Sequence, residues 1–166
     1  MISPESFTKV FFQDNFNKGL GQWIQPPNIK HTGSVLIAPK AGYDGSDALE
    51  LRFLPTMNGT VIEKIFPITR KGTYRIEVKY RSVGVEKPYV ALLSSDWCDK
   101  DGKSLNSVFY SDLLGRDQSG DWKTLAFNFT TPYLLPAYLK VRIGSCWSKT
   151  GTIFFDDFVI RQLPEK

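Results

Sequence analysis

The 166-residue chain reads as all-β, an antiparallel β-sandwich. Three observations predict it. Apolar residues recur at a period of two almost throughout, no window of about ten residues sustains a helical stripe, and turn signals punctuate the runs.

The clearest strand is 74–81, where Tyr74, Ile76, Val78 and Tyr80 share one face and Arg75, Glu77, Lys79 and Arg81 the other. A second, 138–143, turns Leu139, Val141 and Ile143 inward, and a third, 125–129, does the same with Leu125, Phe127 and Phe129. Further strands are expected at 7–12, 34–38, 48–54, 60–66, 88–94, 106–111 and 152–161. Asp44-Gly45, Asn58-Gly59, Lys71-Gly72, Asp101-Gly102, Ser119-Gly120 and Thr150-Gly151 mark the turns between them. Many short strands with regular turns suit a sandwich or barrel rather than βαβ units. Neither a composition shift nor an internal repeat divides the chain, so 1–166 is expected to form a single domain, with 1–9 as a linker.

Composition narrows the function classes. The chain is 42% hydrophobic and 23% charged, which is that of a folded domain. Its net charge of +4 comes from 21 basic residues scattered without a run, so no nucleic-acid partner is expected. No apolar stretch approaches a membrane span, and no membrane partner is expected. The opening Met1-Ile2-Ser3-Pro4-Glu5-Ser6 lacks the basic head and apolar core of a signal peptide. Either export does not proceed this way, or the chain is a piece cut from a larger protein. The aromatic share stands out: 4 Trp, 7 Tyr and 12 Phe are more rings than an average core needs, and sugars stack on rings.

Little reaction chemistry is available. His31, the one histidine, follows Pro26-Pro27 in a polar segment and reads as a loop residue. No nucleophile elbow, phosphate loop or His/Cys metal spacing is present. The alternating acids of Asp99-Lys100-Asp101-Gly102 read as a turn rather than a glycosidase pair. Cys98 and Cys146 each adjoin a tryptophan, and both one disulfide and two half-buried thiols remain open. Asn58-Gly59-Thr60 and Asn128-Phe129-Thr130 fit the glycosylation pattern, which is uninformative without a secretory context.

A series of segments runs nearly the whole length of the chain. It opens with Asp14-Asn15-Phe16-Asn17-Lys18-Gly19 and Trp23, and continues through 42–51, 71–76 and 99–103. Gly120-Asp121-Trp122-Lys123 and 127–132 follow, and Gly151-Thr152-Ile153-Phe154-Phe155-Asp156-Asp157-Phe158 closes it. In this order the segments resemble the jelly-roll carbohydrate-binding modules of families four, nine and twenty-two. The resemblance implies a jelly-roll topology and a non-catalytic, extracellular or cell-surface module that targets a polysaccharide or oligosaccharide for an enzyme domain in the same polypeptide. It implies a monomer when isolated, and a structural calcium held by Asp14, Asn17, Asp47 and Asp156. Trp23 and Trp122 occupy positions usually buried in such modules.

Two ligand surfaces are open. One is a sheet face carrying Arg75, Lys79, Arg81, Tyr89, Tyr138, Lys140 and Arg142, whose cations would read an acidic glycan. The other is a loop-edge platform of Tyr43, Trp97, Tyr110 and Trp147. Against these stand ordinary fates: a solvated sheet face, or Trp97 and Trp147 packed on a disulfide. The competing functional reading is a structural or adhesion domain of a phage or viral fibre or a surface protein, with a role in assembly. A small lyase or hydrolase on the same scaffold is the third.

Overall fold

The computed structural model describes residues 9–27, 29–31, 33–53, 59–86, 91–105, 111–145 and 150–165, without the side chains of 111–113. The described residues contain strands and no helix. The strands are β1 (Lys9–Asp14), β2 (Gly33–Ala38), β3 (Ala48–Phe53), β4 (Thr60–Ile68) and β5 (Thr73–Val83). They continue with β6 (Ala91–Cys98), β7 (Ser111–Gly115), β8 (Lys123–Thr130), β9 (Ala137–Ser145) and β10 (Thr152–Gln162). They form two sheets, β2-β3-β10-β5-β8 with β1 also paired to β10, and β4-β9-β6-β7. Every pairing is antiparallel.

The expected strands have counterparts where their residues are described. Of the strand expected at 88–94, residues 88–90 lie outside the described residues, and its described part, Ala91–Cys98, runs past residue 94 because the ladder with β9 continues to the pairing of Cys98 with Tyr138. Residues 106–110 of the one expected at 106–111 lie outside the described residues, and a described strand spans Ser111–Gly115. Tyr89, Tyr110, Cys146, Trp147 and Asn58 lie outside the described residues.

The alternation of β5 is realised as expected. Tyr74, Ile76, Val78 and Tyr80 are buried between the sheets, and Arg75, Glu77, Lys79 and Arg81 line the outer face. Aromatic contacts tie the two layers together at two places. Phe158 of β10 stacks on Phe66 of β4 at 6.0 Å, with Trp23 edge-on to Phe158 at 5.0 Å. Trp97 of β6 meets Phe129 of β8 edge-on at 5.8 Å, and Tyr74 stacks on Phe129 at 5.3 Å. Such pairs contribute about 0.5–1.5 kcal/mol each beyond the area they bury.

β10 breaks the simple alternation. Ile153 and Phe155 point inward, then Phe158 and Ile160 do, so the inward parity changes between them. The ladder with β5 explains this: Asp156 is opposite Lys79 and Val159 opposite Glu77, one more residue on β10 than on its partner. The extra residue is a β-bulge with Asp157 at φ 48°. Just before it, Asp156 faces the outer side with Lys79 and lies beneath the loop that joins β2 to β3.

Cys98 is a free, buried thiol whose Sγ donates to the Tyr138 carbonyl at 3.6 Å. Ser145, the chain neighbour of Cys146, ends β9 seven residues beyond Tyr138, about 23 Å along the strand at ~3.3 Å per residue. Trp97 accordingly packs on Phe129 and not on a disulfide. Burial pushes the Cys98 thiol up to about 11, outweighing the opposing pull of Lys140. At pH 8 its thiolate fraction is then on the order of one in a thousand. Native protein is expected to resist iodoacetamide at Cys98 for hours and to alkylate fully in denaturant. Peptide mapping by mass spectrometry reads this, and rapid native labelling at Cys98 would refute it.

Candidate functional site

The outer face of the four-stranded sheet is built in cross-strand rows. Glu63 of β4 lies opposite Arg142 of β9, which lies opposite Ser94 of β6. The next row is Ile65, Lys140 and Asp96, and the third is Pro67, Tyr138 and Cys98. The opposite parity, Ile62 and Phe66 with Leu139, Val141, Ile143, Leu93 and Trp97, fills the core. An outer face is normally solvated, yet Lys140 is only 7% exposed and Ser94 and Cys98 are buried. The face is therefore partly sunk beneath neighbouring chain.

Its walls come from the chain on either side. The turn after β6 is organised by the Asp99 carboxylate, whose Oδ1 accepts the Asp101 and Lys103 amides, each at 2.9 Å. Lys140 Nζ donates to the Gly102 carbonyl at 2.9 Å and to Ser104 Oγ at 3.1 Å. Gly102 also lies so close over Ile65 that a Cβ there would stand 2.8 Å from its Cδ1. On the opposite side Ile24 pairs with Glu63 through two backbone hydrogen bonds of 3.0 and 2.7 Å. With its backbone so held, Glu63 receives Arg142 Nε at 2.8 Å, the two side chains being 13% and 28% exposed. The described floor thus holds two carboxylates, two cations that already have partners within the protein, a buried Ser94 hydroxyl and the part-exposed Tyr138 hydroxyl. Its formal charges balance, and it suits a ligand read by many hydrogen bonds rather than by net charge.

Arg75, Lys79 and Arg81 do not join Tyr138, Lys140 and Arg142. The two groups lie on outer faces of different sheets, because β5 pairs with β10 and β8 while β9 pairs with β4 and β6. Moreover the cations are largely engaged. Glu77 takes Arg161 at 2.6 Å and Arg75 at 3.6 Å, and Arg142 and Lys140 have the partners named above. The expected single cationic groove is therefore corrected to two separate surfaces.

The expected loop-edge platform changes too. Trp97 is 3% exposed and belongs to the core, so it offers no ring to a ligand. Trp122, expected in the core, is instead partly exposed beside Tyr43, with ring centroids 6.2 Å apart. Trp23 is buried as expected, and its indole Nε1 donates to Asp14 Oδ2 at 3.0 Å. His31 is half-buried, its Nε2 at 2.9 Å from the Pro26 carbonyl. Glu63, Ser94 and Asp96 were not expected in a site; only their parity on mixed strands carries any signal.

The four residues expected to hold calcium divide between two tasks. Asp14 closes the turn after β1, accepting Phe16 N at 2.8 Å as well as the Trp23 indole. The others gather at the β2–β3 loop. Asn17 Oδ1 accepts Asp47 N at 2.8 Å, and Asp47 Oδ1 accepts Lys40 N at 3.2 Å. Asp156, fully buried, accepts Tyr43 N at 2.8 Å and Ser46 Oγ at 3.0 Å on Oδ2, and Asp157 N at 2.7 Å on Oδ1. Burial raises the neighbouring Asp157 carboxyl, the Asp156 charge adds to this, and Lys79 opposes it.

Among the described residues no three His, Cys, Asp or Glu side chains converge as metal ligands. Three hard oxygens do converge around Gly42. A Cβ there would stand 2.5 Å from Asp156 Oδ2, 2.5 Å from Ser46 Oγ and 2.7 Å from the Asp47 carbonyl. Carbonyl, hydroxyl and carboxylate oxygens are the kinds that calcium accepts. The same cradle predicts that Gly42→Ala destabilises by about 1–3 kcal/mol through overpacking, measured as a lower denaturant midpoint at unchanged slope. A midpoint equal to the parent's would show that the loop has room.

No family model matches the sequence, and no curated protein matches it significantly. Solved structures do. The fold is similar to the xylan-binding domain from carbohydrate-binding module family 22, at 14% identity and TM-score 0.66, covering 95% of this chain and 97% of that one. It is similar to the CBM22-1–GH10 modules of Clostridium thermocellum endo-1,4-β-D-xylanase 10B complexed with xylohexaose, at 15% identity and TM-score 0.64. There the match covers 92% of this chain and 28% of the other. It is also similar to the enzymatically active domain of bacteriophage CBA120 tailspike protein 4, at 12% identity and TM-score 0.64, covering 88% of this chain and 20% of that one. The chain has the fold of the jelly-roll carbohydrate-binding modules.

Proposed function

We propose that the domain is a non-catalytic carbohydrate-binding module whose site is the recessed outer face of β4-β9-β6-β7. One observation carries the reading: a face that should be solvated instead holds a half-buried, hydrogen-bonding floor of Glu63, Arg142, Ser94, Asp96 and Lys140. Sugar hydroxyls are paired donors and acceptors, and such a floor presents both. The likeness to a xylan-binding domain and to xylanase modules complexed with xylohexaose supports a polysaccharide or oligosaccharide as ligand. The balanced charge of the floor favours a neutral chain. An acidic polysaccharide fits only the six-stranded face.

The module would act as a monomer, joined in one polypeptide to an enzyme domain that it brings to its polysaccharide. It would work outside the cell or at its surface. Calcium would be held near the β2–β3 loop by the Asp156 carboxylate, Ser46 and the Asp47 carbonyl, bracing the loop without touching the sugar. The alternative is an assembly or adhesion domain of a fibre, which the tailspike likeness favours. It predicts a stable trimer or other oligomer where the module predicts a monomer.

Affinity electrophoresis through gels containing xylan, mannan or polygalacturonate, with and without a calcium chelator, tests the reading. Retardation in a neutral gel is expected. Free migration in every gel, with a folded circular dichroism spectrum and an oligomeric size, would transfer the assignment to the assembly domain.

A further inference from the structure

The outer face of the six-stranded sheet carries a second arrangement. One cross-strand row contains Glu50 of β3, Phe154 of β10 and Arg81 of β5, with Trp122 just before β8 at its end. The Arg81 guanidinium carbon lies 4.8 Å from the Phe154 ring centroid and 5.5 Å from that of Trp122, so the cation is held between two rings. Its Nε is buried and has no hydrogen-bond partner. Every other arginine placed on this face has a carboxylate: Arg52 has Glu50, and Arg75 and Arg161 have Glu77. Arg81 has none among the described residues. Beside it Tyr43, 54% exposed, stands edge-on to Trp122, and Lys79 Nζ lies 4.7 Å from the Tyr43 ring.

A partly desolvated guanidinium without a carboxylate partner is costly unless an anion completes it. The rings restrict the fork to one plane, which is the preorganisation that bidentate carboxylate recognition requires. Phe154 and Trp122 flank β5, two strand spacings or about 10 Å apart, so the row is longer than one sugar ring. Partly exposed rings beside a carboxylate-reading fork describe an acidic sugar better than a peptide or a free anion, since each ring can stack on the CH face of the residue bearing the charge.

We propose that Arg81, Trp122, Phe154, Tyr43 and Lys79 form a second carbohydrate site that binds a uronate-containing polysaccharide. It lies on the sheet opposite the recess and does not depend on the reading given to the recess. A single domain would thereby engage two glycan chains, or two kinds of chain, on opposite faces.

The test is isothermal titration and gel retardation with polygalacturonate, poly-L-glutamate as a sugar-free polyanion, and the neutral polysaccharides. Parent protein is expected to bind polygalacturonate and not poly-L-glutamate. Arg81→Lys keeps the charge but loses the planar fork, and should weaken polygalacturonate binding at least tenfold while leaving neutral-gel retardation unchanged. Trp122→Ala should do the same, with thermal melts confirming that each variant is folded. Polygalacturonate binding that survives Arg81→Lys, equal binding of poly-L-glutamate, or no polygalacturonate binding by the parent would each overturn the proposal. Failure in neutral gels alongside Arg81-dependent polygalacturonate binding would support this site and sink the recess.

Discussion

Asp156→Ala is expected to lower stability by about 3 kcal/mol, a fall in Tm of roughly 6–12 °C for a domain of this size. The carboxylate is fully buried and accepts from Tyr43 N, Ser46 Oγ and Asp157 N. Alanine leaves those donors facing a void, at about 1–3 kcal/mol for each buried group left unpaired, offset by removal of a buried charge. Two of the three bonds join the last strand to a loop more than a hundred residues earlier, so their loss frees the β2–β3 connection from the core. Asp156→Asn keeps one acceptor oxygen and should cost about half as much. The loss does not require a metal, because the hydrogen bonds alone predict it. If calcium is held near the β2–β3 loop, millimolar calcium raises the parent's Tm and leaves that of Asp156→Ala unmoved, by ordinary binding linkage. A variant melting within about 2 °C of the parent would mean that the loop is held by its own turns.

How far such a site is legible beforehand depends on whether its geometry is local. The strand at 73–83 is, because its alternation and its burial are one pattern in one segment. The bulge of β10 is not: four residues opposing three on β5 switch the inward set from Ile153 and Phe155 to Phe158 and Ile160, and Asp156, on the outer side with Lys79, is buried only by the distant β2–β3 loop, so both are properties of the pairing. Trp97 shows a boundary error turning into a site error. With the strand ended at residue 94, Trp97 falls in a loop; with β6 extended to Cys98, its parity with Leu93 puts it in the core. The cations show the other limit. Alternation assigns Arg75 and Arg142 to outer faces but cannot say that the faces belong to different sheets, since that is decided by which strands far apart in sequence come together. Glu63 was hidden for a third reason. Lys64 beside it has apolar neighbours at the same spacing, and neither parity of β4 is cleanly polar.

Glu63→Ala and Arg142→Ala are each expected to weaken retardation in the neutral gel that slows the parent by about tenfold or more, and the double variant by no more than the worse single. The two side chains form one device. Arg142 Nε is fixed by Glu63 at 2.8 Å, and Glu63 is fixed in turn by the backbone pairing with Ile24, so the fork and the carboxylate present one geometry to a ligand. Removing either frees the other, which then loses entropy on binding and carries an uncompensated charge in a half-buried recess. Non-additivity is thus the distinguishing result, since two independent surface contacts would add. Global stability should fall by only about 1–2 kcal/mol, because the pair keeps some contact with solvent. A pair that acted only as a structural clamp would cost stability and leave binding intact once the variants were compared well below their melting temperatures. Parent-like retardation of both folded single variants would remove the recess as the sugar site and leave the aromatic row of the opposite sheet as the surface to pursue.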